Sequence, residues 1–450
     1  MLNNKFLQYR GLACILLLFS VALGIRLLYQ KESVVNHPIR ADAMQYFCAA
    51  FNLQKFGVYS NQPPPQIDRP PTTPKTGLNP GYPVFLTLLM QQKMIGQDFL
   101  DRVMNIQGVM GALTAVLTFL IARMSLTLPW AIFAGALCAL SPHLIALEGY
   151  LLTESLFTFL MVMGAFILIL SWKNNSPPLT FIAGLIIMLS AHVKETGLLL
   201  LLFLAPVYLL HPHIKQRASR SVWLKHLLLL LVSFTIVATA YTLFKRETIP
   251  ESSIQETSKY YNPIKRRWPI ILASIHPPDS YITKRGIIKG PPRIKDVEGD
   301  YFTFSINRFL KYPLAYLKWN FGGKLILMWR WDHLYYEDVY VYPMLRKGFH
   351  VNGFLMVIHK IMFLLHWPLY VLALAAPVII CAGWRRGTIS PEWRMLLVPV
   401  LGFLYFLFIL VFSSVNPRYA IPARPFSYIL AAASLSWLIV YFKTSFVTKR

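Results

Sequence analysis

Asp42 lies in the stretch Arg40-Ala-Asp-Ala-Met-Gln-Tyr46, shortly after the first apolar run of the chain, with Tyr46 one helical turn further on. A carboxylate on a short helix beside a bilayer has two uses. As a helix cap it accepts hydrogen bonds from free N–H groups of the first turn, and Gln45 three residues on would complete a capping-box-like pair. As a general base it takes the proton from a hydroxyl held against it. Residue type alone favours the cap. Further ionisable groups stand at the ends of other apolar runs: Glu148 in Leu147-Glu-Gly-Tyr150, Glu154 in Leu151-Leu-Thr-Glu-Ser155, Lys194-Glu195, and Arg418 in Pro417-Arg-Tyr-Ala-Ile-Pro422. Charges at membrane depth are costly and are kept when paired or functional. Glu154 with Lys194 reads equally as an ion pair orienting two helices or as part of a site. Between them these residues supply a proton acceptor and cations able to steady an anionic leaving group.

Three further segments give the pattern its order. Asn52-Leu53 and Phe56-Gly57-Val58-Tyr59-Ser60 close the stretch that begins at Arg40. Asn79-Pro-Gly-Tyr-Pro83 leads into a short apolar helix, with Lys75 just before it. Arg418-Tyr419 is followed by Pro422 and Pro425. Taken in this order, the segments resemble the GT-C glycosyltransferases, membrane enzymes that use a polyprenyl-phosphate sugar as donor. The branch concerned includes the protein O-mannosyltransferases and the lipid A aminoarabinose transferases. The first external loop of that family carries an essential Asp, and Asp42 matches it. The resemblance implies transfer of a sugar to an acceptor hydroxyl with Asp42 as general base, and direct displacement would invert the anomeric centre. It also implies substrate-binding positions at Tyr46, Lys75, Asn79, Tyr82, Glu148, Glu154, Lys194, Arg418 and Tyr419. Many members carry a basic residue where this chain has Asn79. No cofactor is assigned; the family at large admits a divalent ion held by carboxylates, and the sequence offers no ligand set for one.

The elements that must position these residues follow from composition. Of the residues 56% are apolar and only 14% are charged, which excludes an ordinary soluble domain and points to an all-α polytopic membrane protein. Apolar runs at 11–29, 102–121, 130–147, 151–172, 179–193, 197–210, 223–244, 354–381, 395–412 and 421–441 give about ten spans, of which 179–193 and 197–210 are short. The first reads as an uncleaved signal anchor. The run 84–95 is too short to span and is expected along the interface. Short loops rich in Lys and Arg stay in the cytoplasm. On that rule Lys5, Arg10, Arg123, Lys173, the Lys215/Arg217/Arg220 cluster, Arg385/Arg386 and Lys443/Lys449/Arg450 share the cytoplasmic side with both termini. The first loop, the Glu148 and Lys194 turns, the 245–351 stretch and the Arg418 loop fall outside. The chain therefore divides into an N-terminal membrane region, 1–244, with a catalytic first loop at 30–101, an external insertion, 245–351, and a C-terminal membrane region, 352–450.

The formal charge of +25, of which the insertion carries +8 (18 Lys/Arg against 10 Asp/Glu), suits anionic lipid or a lipid phosphate; nucleic acid is not expected. The insertion also holds Trp319, Trp329, Trp331, Tyr335, Tyr336, Tyr340 and Tyr342. Aromatics of this kind stack on sugar rings, but an interfacial belt is the favoured reading. The four cysteines suggest no intramolecular structural disulfide. No P-loop, dinucleotide fingerprint or Cys/His metal spacing is present. The one Asn-x-Ser/Thr sequon, Asn174-Asn-Ser176, falls on the cytoplasmic side, which favours a bacterial plasma membrane. The partners expected are a polyprenyl-phosphate-linked sugar, membrane lipid and an acceptor that is a protein, lipid A or another glycan. A transporter or flippase and a non-catalytic scaffold are the alternatives. Transport usually brings internal repeats, and none is visible.

Overall fold

Lipid cannot satisfy backbone N–H and C=O groups, so a chain this apolar must close its hydrogen bonds within helices. The computed structural model describes residues 2–71, 78–90, 96–209, 219–248, 307, 310–333, 337–387, 390–411 and 416–447, and these are 80% helical with almost no strand. Lys75, the first half of the insertion, Tyr335 and Tyr336 lie outside the described residues.

The order runs α1 (Leu2–Glu32), β1 (Val34–Val35), α2 (Ala41–Phe56), α3 (Gly81–Leu89), α4 (Gln97–Arg123), α5 (Leu128–Ala139), α6 (Pro142–Glu148), α7 (Glu154–Asn174), α8 (Pro177–Val193), α9 (Leu200–Leu204), α10 (Pro206–Leu209) and α11 (Ser219–Thr248). The helix pair α12 (Pro313–Lys318) and α13 (Lys324–Met328) follows, joined by a π turn. It leads to β2 (Met344–Arg346), α14 (Gly348–Val351), α15 (Gly353–Arg386), α16 (Leu397–Val411) and α17 (Arg424–Val447). Among the described residues seven helices are long and apolar enough to cross a membrane, or eight if α5 and α6, bent by 45°, form one span. The bend has a local cause: Pro142 has no N–H to continue α5, so the chain restarts at that residue.

The expected ten spans are not reached on this measure. The two short runs form α8 and a broken path through a 3-10 turn, Glu195–Gly197, then α9 and α10. Polar Lys194-Glu195-Thr196 interrupts the apolar sequence there, and Pro206 interrupts it again.

α4 packs on α1, α5 and α7; α7 packs on α8, which carries α11; α17 packs on α15 and α5. A two-stranded antiparallel ribbon, Val34↔Arg346 and Val35↔Met344, ties the first loop to the end of the insertion. The Arg346 guanidinium reinforces it by donating to the carbonyl oxygens of Lys31 and Glu32. Among the described residues the aromatic cluster faces the protein interior and not an interfacial belt. Trp319, Trp329, Trp331, Tyr340 and Tyr342 are buried, and the Trp329 ring stacks on Tyr370 with centroids 4.5 Å apart. Their mixed apolar and hydrogen-bonding character is used inside the bundle, where indole and phenol groups fill space between helices.

Candidate active site

The site begins at the start of α2. The residue preceding the helix, Arg40, is extended and provides no side-chain cap, and Asp42 sits in the first turn. Asp42 does not cap the helix: its carboxylate turns to Arg418, whose Nη2 donates to Oδ2 at 2.6 Å. Gln45 likewise leaves the capping pattern, and its Oε1 accepts from Asn61. Ala41, beside Asp42, has a φ of 46°, in the left-handed region that costs a Cβ-bearing residue about 1–2 kcal/mol. Strain of this kind persists where surrounding contacts impose it.

Arg418 lies in a 3-10 turn, Pro417–Ala423, opened by Asn416, whose Oδ1 accepts from the Arg418 backbone N–H at 3.1 Å. Its Nε is 2.9 Å from Oε1 of Glu154. The same Glu154 oxygen accepts from Lys194 Nζ at 2.8 Å. Lys194 and Arg418 also share the Tyr419 ring, at 4.7 Å and 5.6 Å from its centroid. Four residues from four distant segments therefore make one chain of alternating charge, Asp42–Arg418–Glu154–Lys194, at one end of the bundle. Side-chain exposure grades along it, from 1% at Glu154 through 11% at Arg418 and 13% at Lys194 to 42% at Asp42. The interior half is a buried ion-pair network; Asp42 is its open end.

The remaining expected residues fall around this chain. Tyr46 is in edge contact with the Tyr82 ring at 5.3 Å. Burial, with the Glu154 and Asp42 carboxylates nearby, pushes the Tyr46 phenol above its usual range, so at neutral pH it is a hydrogen-bond donor. Tyr82 is fully buried and donates to Gln107 Oε1 at 2.9 Å; Gln107 in turn donates to the carbonyls of Glu148 and Tyr150. Tyr82 therefore braces Tyr46 from behind. Asn79 Nδ2 donates to the Ala191 carbonyl at 3.4 Å. At Gly81 a Cβ would stand 2.7 Å from the His192 carbonyl carbon, so only glycine lets α3 press on the end of α8 that presents Lys194. Glu148 belongs elsewhere: it is paired with Arg26 at 2.8 Å deep in the bundle. A Cβ on Gly111 would collide with that carboxylate.

Two neighbours of Asp42 were not expected. Tyr342 lies close enough to Asp42 and Ala43 that burial and the carboxylate together push its phenol up to about 12. Above its ring, at 5.8 Å, stands the half-buried guanidinium of Arg40, which has no carboxylate partner among the described residues. Arg26 was also missed. Its signal was visible, as a cation inside the first apolar run, where an ionisable group implies a partner.

No group of three or more His, Cys, Asp or Glu side chains among the described residues could hold a metal ion. Asp42 and Glu154 are both engaged by cations.

No family model matches the sequence, and no curated protein matches it. Solved structures do match in fold. The archaeal oligosaccharyltransferase AglB from Archaeoglobus fulgidus, in complex with an inhibitory peptide and a dolichol-phosphate, superposes with a TM-score of 0.51 at 14% identity. The match covers 99% of this chain and 52% of that one. The A. fulgidus oligosaccharyltransferase tethered to an acceptor peptide containing the NVT sequon matches with the same TM-score and identity, over 98% of this chain and 50% of that one. This chain thus spans about half the length of these enzymes. Its fold is similar to that of these oligosaccharyltransferases.

Proposed function

We propose that this chain is a membrane glycosyltransferase that moves a sugar from a polyprenyl-phosphate donor to an acceptor hydroxyl on the external face, inverting the anomeric centre. The contact between Asp42 of the first loop and the buried Arg418–Glu154–Lys194 network carries the reading. It gathers a solvent-reachable carboxylate and two cations where a lipid phosphate would lie. The fold supports it. So does the presence of dolichol-phosphate in one solved relative and of an acceptor peptide in another.

In the reaction the acceptor oxygen bonds to the anomeric carbon while the bond from that carbon to the phosphate oxygen breaks. The hydroxyl proton passes to Asp42, and polyprenyl phosphate leaves with the bond's electron pair. As the chain stands, Asp42 Oδ2 is occupied by Arg418. An arriving phosphate competes for Nη2. Arg418 can yield it without becoming an uncompensated charge, because Nε remains against Glu154. Donor binding thereby frees the base, which orders the substrates: donor first, acceptor second. The four-residue chain is neutral overall, two carboxylates against two cations. Arg40 supplies the additional positive charge that a bound phosphate needs, and Tyr342 holds it beside Asp42. The setting that fits is a bacterial plasma membrane with both termini cytoplasmic; the acceptor is a protein, lipid A or another glycan.

The test is purified protein in nanodiscs with a panel of polyprenyl-phosphate sugars, read as release of polyprenyl phosphate. Asp42→Asn keeps the size of the side chain and removes its basicity. Turnover should fall about 10²-fold or more while folding is normal. A folded Asp42→Asn protein with near wild-type turnover removes Asp42 from the chemistry.

A further inference from the structure

Arg424 opens α17 and is 4% exposed, inside the bundle. Arginine keeps its charge at any physiological pH, and a buried charge demands compensation. Arg424 has none from a carboxylate among the described residues. Its guanidinium lies 5.6 Å from the centre of the Trp329 ring, and Nη1 donates to His366 Nδ1 at 3.4 Å. That histidine is held in the accepting tautomer, because its Nε2 donates to the Trp329 carbonyl at 2.6 Å.

Three buried polar atoms around this arginine have no partner: Arg424 Nε, Trp329 Nε1 and His143 Nδ1. Their side chains line one cavity of about 10 Å³, together with Ser427 and Tyr428. Arginine and indole nitrogens are donors only, so neither can satisfy the other. What they need is an acceptor, and the guanidinium also needs a negative charge. The cavity admits a single monatomic or water-sized occupant and is too small for phosphate, sulfate and carboxylates. We infer that this cavity is a halide site, occupied by a chloride held by the Arg424 and Trp329 N–H groups within the helix junction α5/α6, α15 and α17. A water is the competing occupant. It could accept from Arg424 and Trp329 and donate to His143 Nδ1, but it would leave the guanidinium uncompensated.

The site binds only the folded arrangement, so occupancy stabilises the fold by mass action. Purified protein in detergent is melted in sodium chloride, sodium bromide and sodium gluconate at equal ionic strength. Chloride and bromide should raise Tm saturably, by roughly 3 °C or more over gluconate. Arg424→Met should lose that increment, and Trp329→Phe should shift it to higher halide concentration. Crystals grown in bromide should show an anomalous peak inside the cavity. Equal melting in chloride and gluconate, an Arg424→Met protein that keeps the increment, or bromide crystals without the peak would each overturn the assignment in favour of water. If Arg424→Met does not fold, the bromide peak decides by itself.

Discussion

Glu154 is the residue on which the ion network depends, because one of its oxygens serves both Lys194 and Arg418. The two cations are not equivalent to it. Removing the Glu154 charge leaves two buried cations facing each other, whereas removing the Lys194 charge leaves Arg418 still between two carboxylates. Glu154→Gln should therefore cost about 3–5 kcal/mol, and Lys194→Met should cost clearly less. Chemical denaturation of both variants checks the order, and the reverse order would mean that Lys194 carries the structure. The sequence made these residues legible as charges at the ends of apolar runs. It could not show who pairs with whom, since Asp42 and Arg418 lie 376 residues apart. For Asp42 the local reading, a helix cap, was the wrong one. Caps are judged from neighbours in sequence, and the partner that claimed this carboxylate comes from the far end of the chain.

At the scale of elements, the site depends on how α3 docks. The segment Asn79-Pro-Gly-Tyr-Pro83 places a glycine against the His192–Val193 backbone and an asparagine on the Ala191 carbonyl, just before Lys194. Gly81→Ala would put a methyl 2.7–2.8 Å from backbone atoms, which cannot rotate away as a side chain could. Overpacking of this kind costs about 1–3 kcal/mol. The variant should melt earlier, and limited proteolysis should cut its first loop sooner. Proteolysis unchanged from wild type would show that α3 does not hold the loop. Long apolar helices were readable from composition, but the ribbon of β1 and β2 was not. Strands of two and three residues are too short to show an alternating pattern. Pro142 bent the run 130–147 and Pro206 interrupted the run 197–210, for reasons local to those residues.

For the whole molecule, the placement of charge can be tested directly. Lys/Arg asymmetry is the ground for the proposed external site, and the four site residues do come together at one end of the bundle. Gln66 is exposed on the site side and Lys173 is exposed at the far end of α7. A membrane-impermeant maleimide should label Gln66→Cys in intact cells and Lys173→Cys only after permeabilisation, both in a background without the native cysteines. Labelling of both from one side would end the external-face assignment.

The separation of 376 positions between Asp42 and Arg418 is also an interval of time. At synthesis rates of roughly 5–20 residues per second, about 20–75 s pass between the making of the two. Throughout that interval the first loop waits without its guanidinium. The final contact can form only after α17 begins to insert. Its formation therefore follows the making of every intervening helix, and a chain stalled midway lacks the Asp42–Arg418 contact.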